Sequence, residues 1–233
     1  MLCVLGSETE GNKETSLLDC NTSPPRLSVK LPKLRDLPRT SKPWTEAELP
    51  IDILLLTVEE CEFLSCFFYL CKPFKSYHKD TGYVFFGTMG GGDKSKLKVA
   101  LMSCAEGSAV PKGSLTVVKN AVRVLRPKAV FSVGSCIGLN SEKAKLGDVI
   151  VSSKLTTPVY TTPVSRDIGY IITNVADGWH APLEKPDEWE VKVHRDGNVL
   201  SQSLAASFGW RHEDIIQKYP EAIAVETEGE GKF

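Results

Sequence analysis

Short apolar runs followed by helical patterns constrain the fold of this sequence most. Residues 51–57 form an apolar run with the length and composition of a strand that is buried on both faces. Glu59 and Glu60 come next and suit the positive end of a helix. Apolar residues then recur every three or four positions until Pro73, which predicts a core-facing helix. A strand followed by such a helix is typical of an α/β fold.

The same alternation continues along the chain. Further strands are predicted at residues 83–86, 97–103, 129–133, 148–151 and 169–174. The first two of these are joined by a glycine-rich turn at 90–93. Helices are predicted at residues 112–125, 200–208 and 211–219. Strands alternating with helices predict an α/β fold with a mixed sheet that helices cover on both faces.

The last segment of the sequence carries two carboxylates in an apolar run. Within residues 222–229, residues 222–225 are apolar, and Glu226 and Glu228 follow at alternate positions with Thr227 between them. On a strand, alternate side chains share a face, so these two like charges would be neighbours. Such a pair is either a solvated strand end or a set of acceptors for ligand hydroxyl groups, and these residues alone favour the solvated strand end.

The composition excludes several classes of protein. The chain has 233 residues, of which 42% are hydrophobic, and a formal net charge of −1. The charge balance lacks the basic excess of proteins that bind nucleic acid or anionic membranes. No apolar run approaches the roughly 20 residues of a membrane span, and the N-terminus lacks a signal-peptide pattern. We therefore predict a cytoplasmic protein with no nucleic-acid or membrane partner.

The cysteines and histidines show no metal-binding spacing. The chain has seven cysteines and four histidines, but no Cys-x-x-Cys pair. An odd number of cysteines without a secretory signal indicates reduced thiols, most of which would fill the core. The sequence therefore predicts neither a metal site nor a cofactor.

The first part of the chain differs in composition from the rest. Residues 1–47 are rich in Ser, Thr, Pro, Lys and Glu and show no sustained periodicity. This composition predicts a disordered or linker segment. The folded domain is accordingly predicted at residues 48–233.

A glycine-bounded segment follows the strand at 129–133. Gly134 and Gly138 allow the backbone to approach a ligand, and Ser135 and Cys136 lie between them at the carboxyl end of a strand. Small molecules bind open α/β sheets at such strand ends, although a structural turn fits this segment equally well. Glu62 lies five residues after the strand at 51–57. A glutamate on a helix surface is usually solvated, and Glu62 has a function only if its strand end shares a crevice with Ser135 and Glu228.

Four segments together resemble the nucleoside phosphorylase/nucleosidase superfamily. That superfamily includes purine nucleoside and uridine phosphorylases and the nucleosidase for methylthioadenosine and S-adenosylhomocysteine. The segments are Thr57 with Glu62 five residues later, residues 133–139 (VGSCIGL), residues 147–152 (GDVIVS) and residues 224–229 (AVETEG). The resemblance covers about residues 51–229. It implies a three-layer sandwich with a mixed central β-sheet flanked by helices.

The resemblance also implies roles for individual residues. Glu228 matches the glutamate that accepts hydrogen bonds from the ribose hydroxyls, and Ser135, with Gly134 and Cys136 beside it, matches the segment that lines the sugar site. Glu62 matches the glutamate that positions the attacking water in the nucleosidase branch. Glu226 would lie near the base pocket, with Thr227 under the sugar in place of the usual methionine. Cleavage of an N-glycosidic bond passes through an oxocarbenium-like sugar, which carboxylates stabilise.

One departure from the family bears on the nucleophile. Bacterial-type phosphorylases carry a phosphate-binding arginine three residues before the Ser135 position, and this sequence has Ser132 there. Without that charge-assisted partner, water is favoured over phosphate as the nucleophile. Arg123 and Arg166 are the alternative phosphate ligands, and Ile137 replaces the usual small residue in the glycine-bounded segment.

A second departure concerns the C-terminal part of the family pattern. The family continues after its Glu-x-Glu motif with a helix, a strand that carries the aspartate that protonates the base, and a final helix. This sequence has no aspartate after Asp214. Loss of a positioned general acid costs about 10²–10⁴ in rate, so we expect negligible cleavage by a chain that is incomplete at its C-terminus.

Two functions therefore remain open at this stage. The first is an N-ribosyl hydrolase or phosphorylase-type enzyme acting on purine nucleosides or nucleotides, with hydrolysis favoured over phosphorolysis. The second is an inactive nucleoside-binding or scaffold module. Either function predicts a small-molecule nucleoside or nucleotide as ligand, with phosphate as an additional candidate. The resemblance also implies a homo-oligomer, because family members are commonly oligomeric.

Overall fold

The computed structural model describes residues 2–5, 25–90, 96–105, 113–140, 142–158, 160–174, 176–202 and 212–226. These residues form eleven strands, which share one mixed sheet, and four α-helices. The strands are β1 (Leu2–Leu5), β2 (Ser41–Lys42), β3 (Ile53–Thr57), β4 (Cys71–His78), β5 (Gly82–Met89), β6 (Leu97–Ser103), β7 (Ala129–Gly138), β8 (Val149–Thr156), β9 (Thr161–Pro163), β10 (Val193–Ser201) and β11 (Ala224–Glu226). The helices are α1 (Glu60–Phe68), α2 (Ser114–Leu125), α3 (Arg166–Asn174) and α4 (His212–Lys218), and short 3-10 helices lie at Leu34–Asp36, Trp44–Glu46 and Pro186–Glu188.

The central part of the sheet is built around β3. This strand pairs in parallel with β6 on one side and with β7 on the other. Beyond β6, the antiparallel strands β5 and β4 follow, and the short β2 pairs in parallel with β4. The mixed α/β architecture predicted from the sequence is therefore confirmed.

The other half of the sheet closes into a ring of strands. β7 pairs with β1, β1 with β8, β8 with β10, β10 with β11, and β11 pairs back with β7. β1 and β11 pair with the same edge of β7 but with different parts of it. β1 pairs with residues 133–136 and β11 pairs with residues 137 and 138. β9 extends the ring as an antiparallel partner of β8.

The side chains of β3 show why its sequence is apolar throughout. Leu54 and Leu56 are fully buried and cluster with Ala121 and Leu125 of α2. The alternate residues of β3 belong instead to a cluster that contains Phe63 and other apolar residues of α1. Because successive strand residues point to opposite faces, a helix covers each face of this strand. The prediction of a strand buried on both faces is confirmed.

The prediction of disorder over residues 1–47 is wrong for the parts that the structure describes. Leu2–Leu5 forms β1 within the sheet, and residues 25–47 include β2 and two 3-10 helices. Trp44 fixes this second part to the core, because its ring lies 4.8 Å from His78 and 5.5 Å from Phe86. Aromatic contacts of this kind outweigh the polar composition that suggested a linker.

Several predicted elements differ from the observed ones. The strand predicted at 169–174 is part of helix α3, in which the Thr173 hydroxyl donates to the Gly169 carbonyl one turn earlier. The turn predicted at 134–138 is the second half of β7, which pairing with β1 and β11 keeps extended. The helix predicted at 200–208 begins within β10, and its remaining residues from 203 lie outside the described residues. The turn residues 91–93 lie outside them too.

The described helices are all short. None of them, within the parts of the chain that the structure describes, has the length and apolar character needed to cross a membrane.

Candidate active site

Glu62 caps the helix on which it lies. The chain leaves β3 at Thr57, turns through Val58 and Glu59, and enters α1 at Glu60. Glu62 Oε2 accepts hydrogen bonds from the backbone N–H groups of Val58 and Glu59, each at 3.0 Å. This is a capping arrangement, in which a side chain satisfies N–H groups that have no partner within the helix. The capping fixes the position of the half-buried carboxylate at the carboxyl end of β3.

The other carboxylate oxygen of Glu62 binds β7. Glu62 Oε1 accepts a hydrogen bond from the backbone N–H of Ser135 at 2.9 Å, and the Ser135 hydroxyl lies 3.5 Å from the same oxygen. The pairing of β3 with β7 ends where Leu56 lies opposite Ser132, so no β3 residue is available to Ser135. The carboxylate therefore takes the place of a neighbouring strand at this point of β7.

Gly134 lies directly beside this contact. A Cβ atom at position 134 would lie 3.4 Å from Glu62 Oε1. Ser135 is exposed whereas Cys136 is buried, so the segment presents its serine to solvent. The structure therefore brings Glu62, Gly134 and Ser135 together.

Glu226 is a buried residue rather than a solvated strand end. Its exposed fraction is 3%, and its Oε2 atom lies 3.3 Å from the Ser201 hydroxyl, which donates to it. β11 runs antiparallel to β7, with Ala224 opposite Gly138 and Val225 opposite Ile137. This register points the carboxyl end of β11 toward the level of Cys136, on the edge of β7 opposite to the one that Glu62 contacts.

Two predicted site residues cannot be placed. Thr227 and Glu228, the proposed sugar-binding residues, lie outside the described residues.

Neither a protein-family model nor a curated protein sequence matches the chain. Solved structures do match. A methylthioadenosine/S-adenosylhomocysteine nucleosidase from Colwellia psychrerythraea, in complex with adenine, aligns with a TM-score of 0.57 at 14% identity, over 78% of this chain and 75% of that one. A futalosine hydrolase from Helicobacter pylori aligns with a TM-score of 0.54 at 14% identity, over 79% and 77% of the two chains. A uridine phosphorylase from Vibrio fischeri gives a TM-score of 0.52 at 16% identity, over 76% and 69%.

The chain has the nucleoside phosphorylase/nucleosidase fold. At these identities the likeness establishes the arrangement of strands and helices. The chemistry of the site has to be argued from the residues themselves.

The nucleosidase-like sheet holds a second carboxylate that sequence reasoning did not single out. Asp148 precedes β8 and is 1% exposed. It accepts hydrogen bonds from the backbone N–H groups of Lys145 and Lys192, each at 2.9 Å, and its Oδ2 atom lies 2.8 Å from His194 Nε2. Burial alone would raise the pKa of Asp148, but the hydrogen bonds from His194 and the two backbone groups outweigh it and hold the pKa below its usual value.

Only one partner of the Asp148–His194 contact belongs to a recognisable sequence motif. Asp148 lies in the GDVIVS segment, but His194 and Lys192 are more than 40 positions away and follow no recognisable motif. Because β8 and β10 are parallel and start together at Val149 and Val193, Asp148 joins their amino ends. Asp148 is buried and both of its carboxylate oxygens are hydrogen-bonded within the ring, so we assign it to the structure of the ring rather than to the candidate site.

A cavity of about 730 Å³ lies beside the first turn of α1. Its walls include Val58, Glu60 and Phe63, together with Tyr77 and Tyr83 of the β4–β5 hairpin. It is not lined by Glu62, Ser135 or Glu226. The cavity is therefore separate from the group of residues that the sequence pattern predicted.

The described cysteines and the two alternative arginines make no hydrogen bond or ion pair with the Glu62 carboxylate that the structure records. Cys66, Cys104 and Cys136 are buried and Cys61 and Cys71 are exposed, and these five described cysteines form no disulfide with one another. Burial raises the pKa of the Cys66 thiol to about 12, which keeps it neutral. Arg123 of α2 forms an ion pair of 3.1 Å with Asp80, and Arg166 is the exposed first residue of α3. Among the residues that the structure describes, no group of three or more His, Cys, Asp or Glu side chains is arranged to hold a metal ion.

Proposed function

We propose that this chain cleaves the N-glycosidic bond of purine nucleosides or nucleotides by hydrolysis. The observation that carries the proposal is the contact between Glu62 of α1 and the Ser135 N–H of β7 at 2.9 Å. It joins a carboxylate to an exposed serine at the carboxyl ends of two neighbouring parallel strands, where sheets of this kind bind small molecules.

The residues would divide the reaction as follows. Glu62 orients a water molecule for attack on C1′ of the ribose, and Ser135 lines the sugar site with Gly134 and Cys136. The bond between C1′ and the base nitrogen breaks, the base leaves with a proton, and the sugar keeps the hydroxyl group from water. Negative charge near the sugar stabilises the oxocarbenium character of the transition state. Glu228 and Thr227 would hold the ribose and Glu226 would lie near the base, as the family resemblance implies.

Water as the nucleophile is supported by the charges near Ser135. Ser132 is buried in β7 at the position where a phosphate-binding arginine is expected in phosphorylases. Arg123, one of the two alternatives, is bound to Asp80. A phosphate ion needs charge-assisted donors that water does not need. This argument favours hydrolysis over phosphorolysis.

One observation favours a second function, a nucleoside-binding module without catalysis. An ionised carboxylate has about four lone-pair sites, and those of Glu62 already accept three backbone N–H groups. About one site is left to orient a water molecule. A carboxylate bonded to both segments in this way holds the start of α1 against β7 whether or not a reaction takes place.

The test is to incubate the purified full chain with adenosine, inosine, methylthioadenosine and ATP, with and without phosphate. We expect free base and free ribose to appear slowly, because no aspartate of this sequence follows Asp214 to protonate the base, and at a rate that phosphate does not change. Release that requires phosphate and yields ribose 1-phosphate would show a phosphorylase instead. Nucleoside binding by calorimetry without base release would establish the binding module. A Glu60→Gln chain is the matched control, because Glu60 is exposed on the same helix turn and takes no part in the contact with Ser135.

The mass of the protein in solution should be measured in the same samples. We propose a homo-oligomer, which the resemblance implies, and sedimentation would contradict it by showing a single chain of 25.6 kDa.

A further inference from the structure

Strand β1 lies between two strands of the ring that do not pair with each other in the described parts of the chain. It runs parallel to β7, with Cys3 opposite Gly134 and Val4 opposite Ser135. On its other side it runs antiparallel to β8, with Val4 opposite Val149 and Leu2 opposite Val151. Residues 2–4 therefore pair on both sides and fill a gap between β7 and β8, whereas Leu5 pairs with β7 alone.

The gap adjoins the candidate site through the backbone of β7. The Ser135 N–H points toward the β3 side, where it donates to Glu62 at 2.9 Å. Backbone groups alternate between the two edges of a strand, so those of Gly134 and Cys136 point toward β1. The Gly134–Cys136 segment is thus held by Glu62 at one edge and by β1 at the other. Without β1, the second set of N–H and C=O groups would have no partner from this strand.

A stretch of sequence separates β1 from the next described segment. Residues 6–24, which join it to the rest of the chain, number 19. Nineteen residues reach at most about 60–70 Å when extended. This length is sufficient for residues 2–5 to reach the gap of their own chain or that of a second molecule.

We propose that the gap between β7 and β8 is a binding site for an extended peptide strand, that residues 2–5 of the same chain occupy it, and that occupation holds Ser135 against Glu62. Recognition of this kind adds a strand to a sheet through main-chain hydrogen bonds. The site takes a segment that runs parallel to β7, and a separate peptide with the sequence of residues 1–8 fits the same description. The effect on catalysis rests on the proposed hydrolysis, whereas the binding itself does not.

A disulfide in the full chain tests the position of β1 directly. Val4 and Val149 lie opposite each other, so a Val4→Cys/Val149→Cys chain should form an intramolecular disulfide on mild oxidation, identified by mass spectrometry. The control is Val4→Cys/Val193→Cys, because Val193 lies opposite Val149 on β10, one strand farther from β1. Two strand spacings are about 9–10 Å, which exceeds the reach of a disulfide. Equal yields in both chains, or cross-links only between chains, would overturn the assignment.

Hydrogen exchange tests whether the gap is a separable binding site. A Val4→Pro chain loses a backbone N–H of β1, whereas Val4→Ala keeps the backbone and serves as control. We expect exchange at residues 133–136 and 149–151 to rise by about tenfold or more in Val4→Pro only, and the added peptide of residues 1–8 to reverse it. A scrambled peptide should have no effect.

The remaining outcomes of that experiment are also decisive. Unchanged exchange in Val4→Pro would mean that other groups satisfy β7 and β8. A loss of protection that extends to β3 and β6 and that the peptide does not reverse would show that β1 is an inseparable part of the fold. If hydrolysis occurs, it should fall by about tenfold in Val4→Pro and recover with the peptide. If no hydrolysis occurs in any chain, the proposed function fails, while the disulfide and exchange results still decide the strand-binding site.

Discussion

Two carboxylates with similar hydrogen bonds lie beside strand ends in different parts of this sheet. Glu62 accepts three backbone N–H groups at the carboxyl ends of β3 and β7. Asp148 accepts two backbone N–H groups and contacts His194 at the amino ends of β8 and β10. Each carboxylate supplies hydrogen bonds where regular strand pairing has stopped.

The two carboxylates differ in whether a ligand can reach them. Asp148 is 1% exposed and has His194 on the oxygen that also binds Lys145, so no ligand can approach it. Glu62 is half-buried and lies beside the exposed Ser135 and a glycine. A buried, fully bonded carboxylate stabilises the fold, whereas a partly open one at the carboxyl end of a sheet can also serve a ligand. The comparison predicts different consequences for equivalent substitutions.

The largest expected effect is on activity at the open carboxylate. Glu62→Gln removes the charge that would orient water and replaces one acceptor oxygen with a donor that faces a backbone N–H. We expect the rate of base release to fall by about 10²–10⁴, with Glu60→Gln close to the unsubstituted chain. Equal rates in Glu62→Gln and the unsubstituted chain would mean that Glu62 is only a structural cap, as Asp148 is in the ring.

The next effect is on stability, and it should depend on pH. In Asp148→Asn one amide N–H₂ must face a backbone or imidazole donor, which costs about 1–3 kcal/mol in unfolding free energy at pH 7. The folded-state pKa of Asp148 lies below the unfolded value, so its ionised form stabilises the fold above about pH 5 and loses that effect as pH falls through the folded pKa. Urea denaturation should therefore show a smaller difference between the two chains near pH 3 than at pH 7.

The exposed Asp187→Asn chain is the control for that series, and we expect it to match the unsubstituted chain at both pH values. An Asp148→Asn difference that is the same at pH 3 and pH 7 would contradict the assignment of the effect to the ionised carboxylate.

The third effect is on stability at Gly197, a glycine in the ring of strands. Gly197 of β10 is surrounded by core residues, and a Cβ there would lie 2.4 Å from Ile150 Cγ2 and 3.1 Å from Ile223 Cδ1. Because Ile150 is fully buried, it has little space to move. Gly197→Ala should lower the free energy of unfolding by about 1–2 kcal/mol, as overpacked core substitutions do. Thermal or urea unfolding measures this, and an unchanged midpoint would show that the ring core adapts easily.

The local part of this organisation was predictable from sequence. The apolar run at 51–57 and the spacing of three and four that follows it identify β3 and α1, because each depends on the periodicity of one segment. Glu62 and Ser135 were both singled out, but only the family resemblance placed them in one site. They are 73 positions apart, and their contact depends on the pairing of β3 with β7.

The non-local part was not predictable from these patterns. β1 is four residues long, and its pairing with β7 and β8 connects positions more than 100 residues apart. The composition of residues 1–47 instead indicated a linker. β10 was missed because the segment Val193–Ser201 contains His194, Arg195 and Asp196, which break the apolar pattern of a strand. His194 contacts Asp148, and only the parallel pairing of β8 with β10 brings these two residues together.

The smallest expected effect is at the glycine beside the open carboxylate. A Cβ at position 134 would lie 3.4 Å from Glu62 Oε1, which is an ordinary contact distance, so Gly134→Ala should fold without strain. Its stability should be equal to that of the unsubstituted chain or higher by about 0.4–1 kcal/mol, because alanine restricts the unfolded chain. The added methyl group occupies space beside the carboxylate, and base release should fall by less than about tenfold. The pair Gly134→Ala and Gly197→Ala therefore separates the two regions, since one substitution should reduce activity without loss of stability and the other should reduce stability. If Gly134→Ala instead lowered stability as much as Gly197→Ala, the Glu62–Ser135 contact would be as closed as the Asp148 cluster, and its role would be structural.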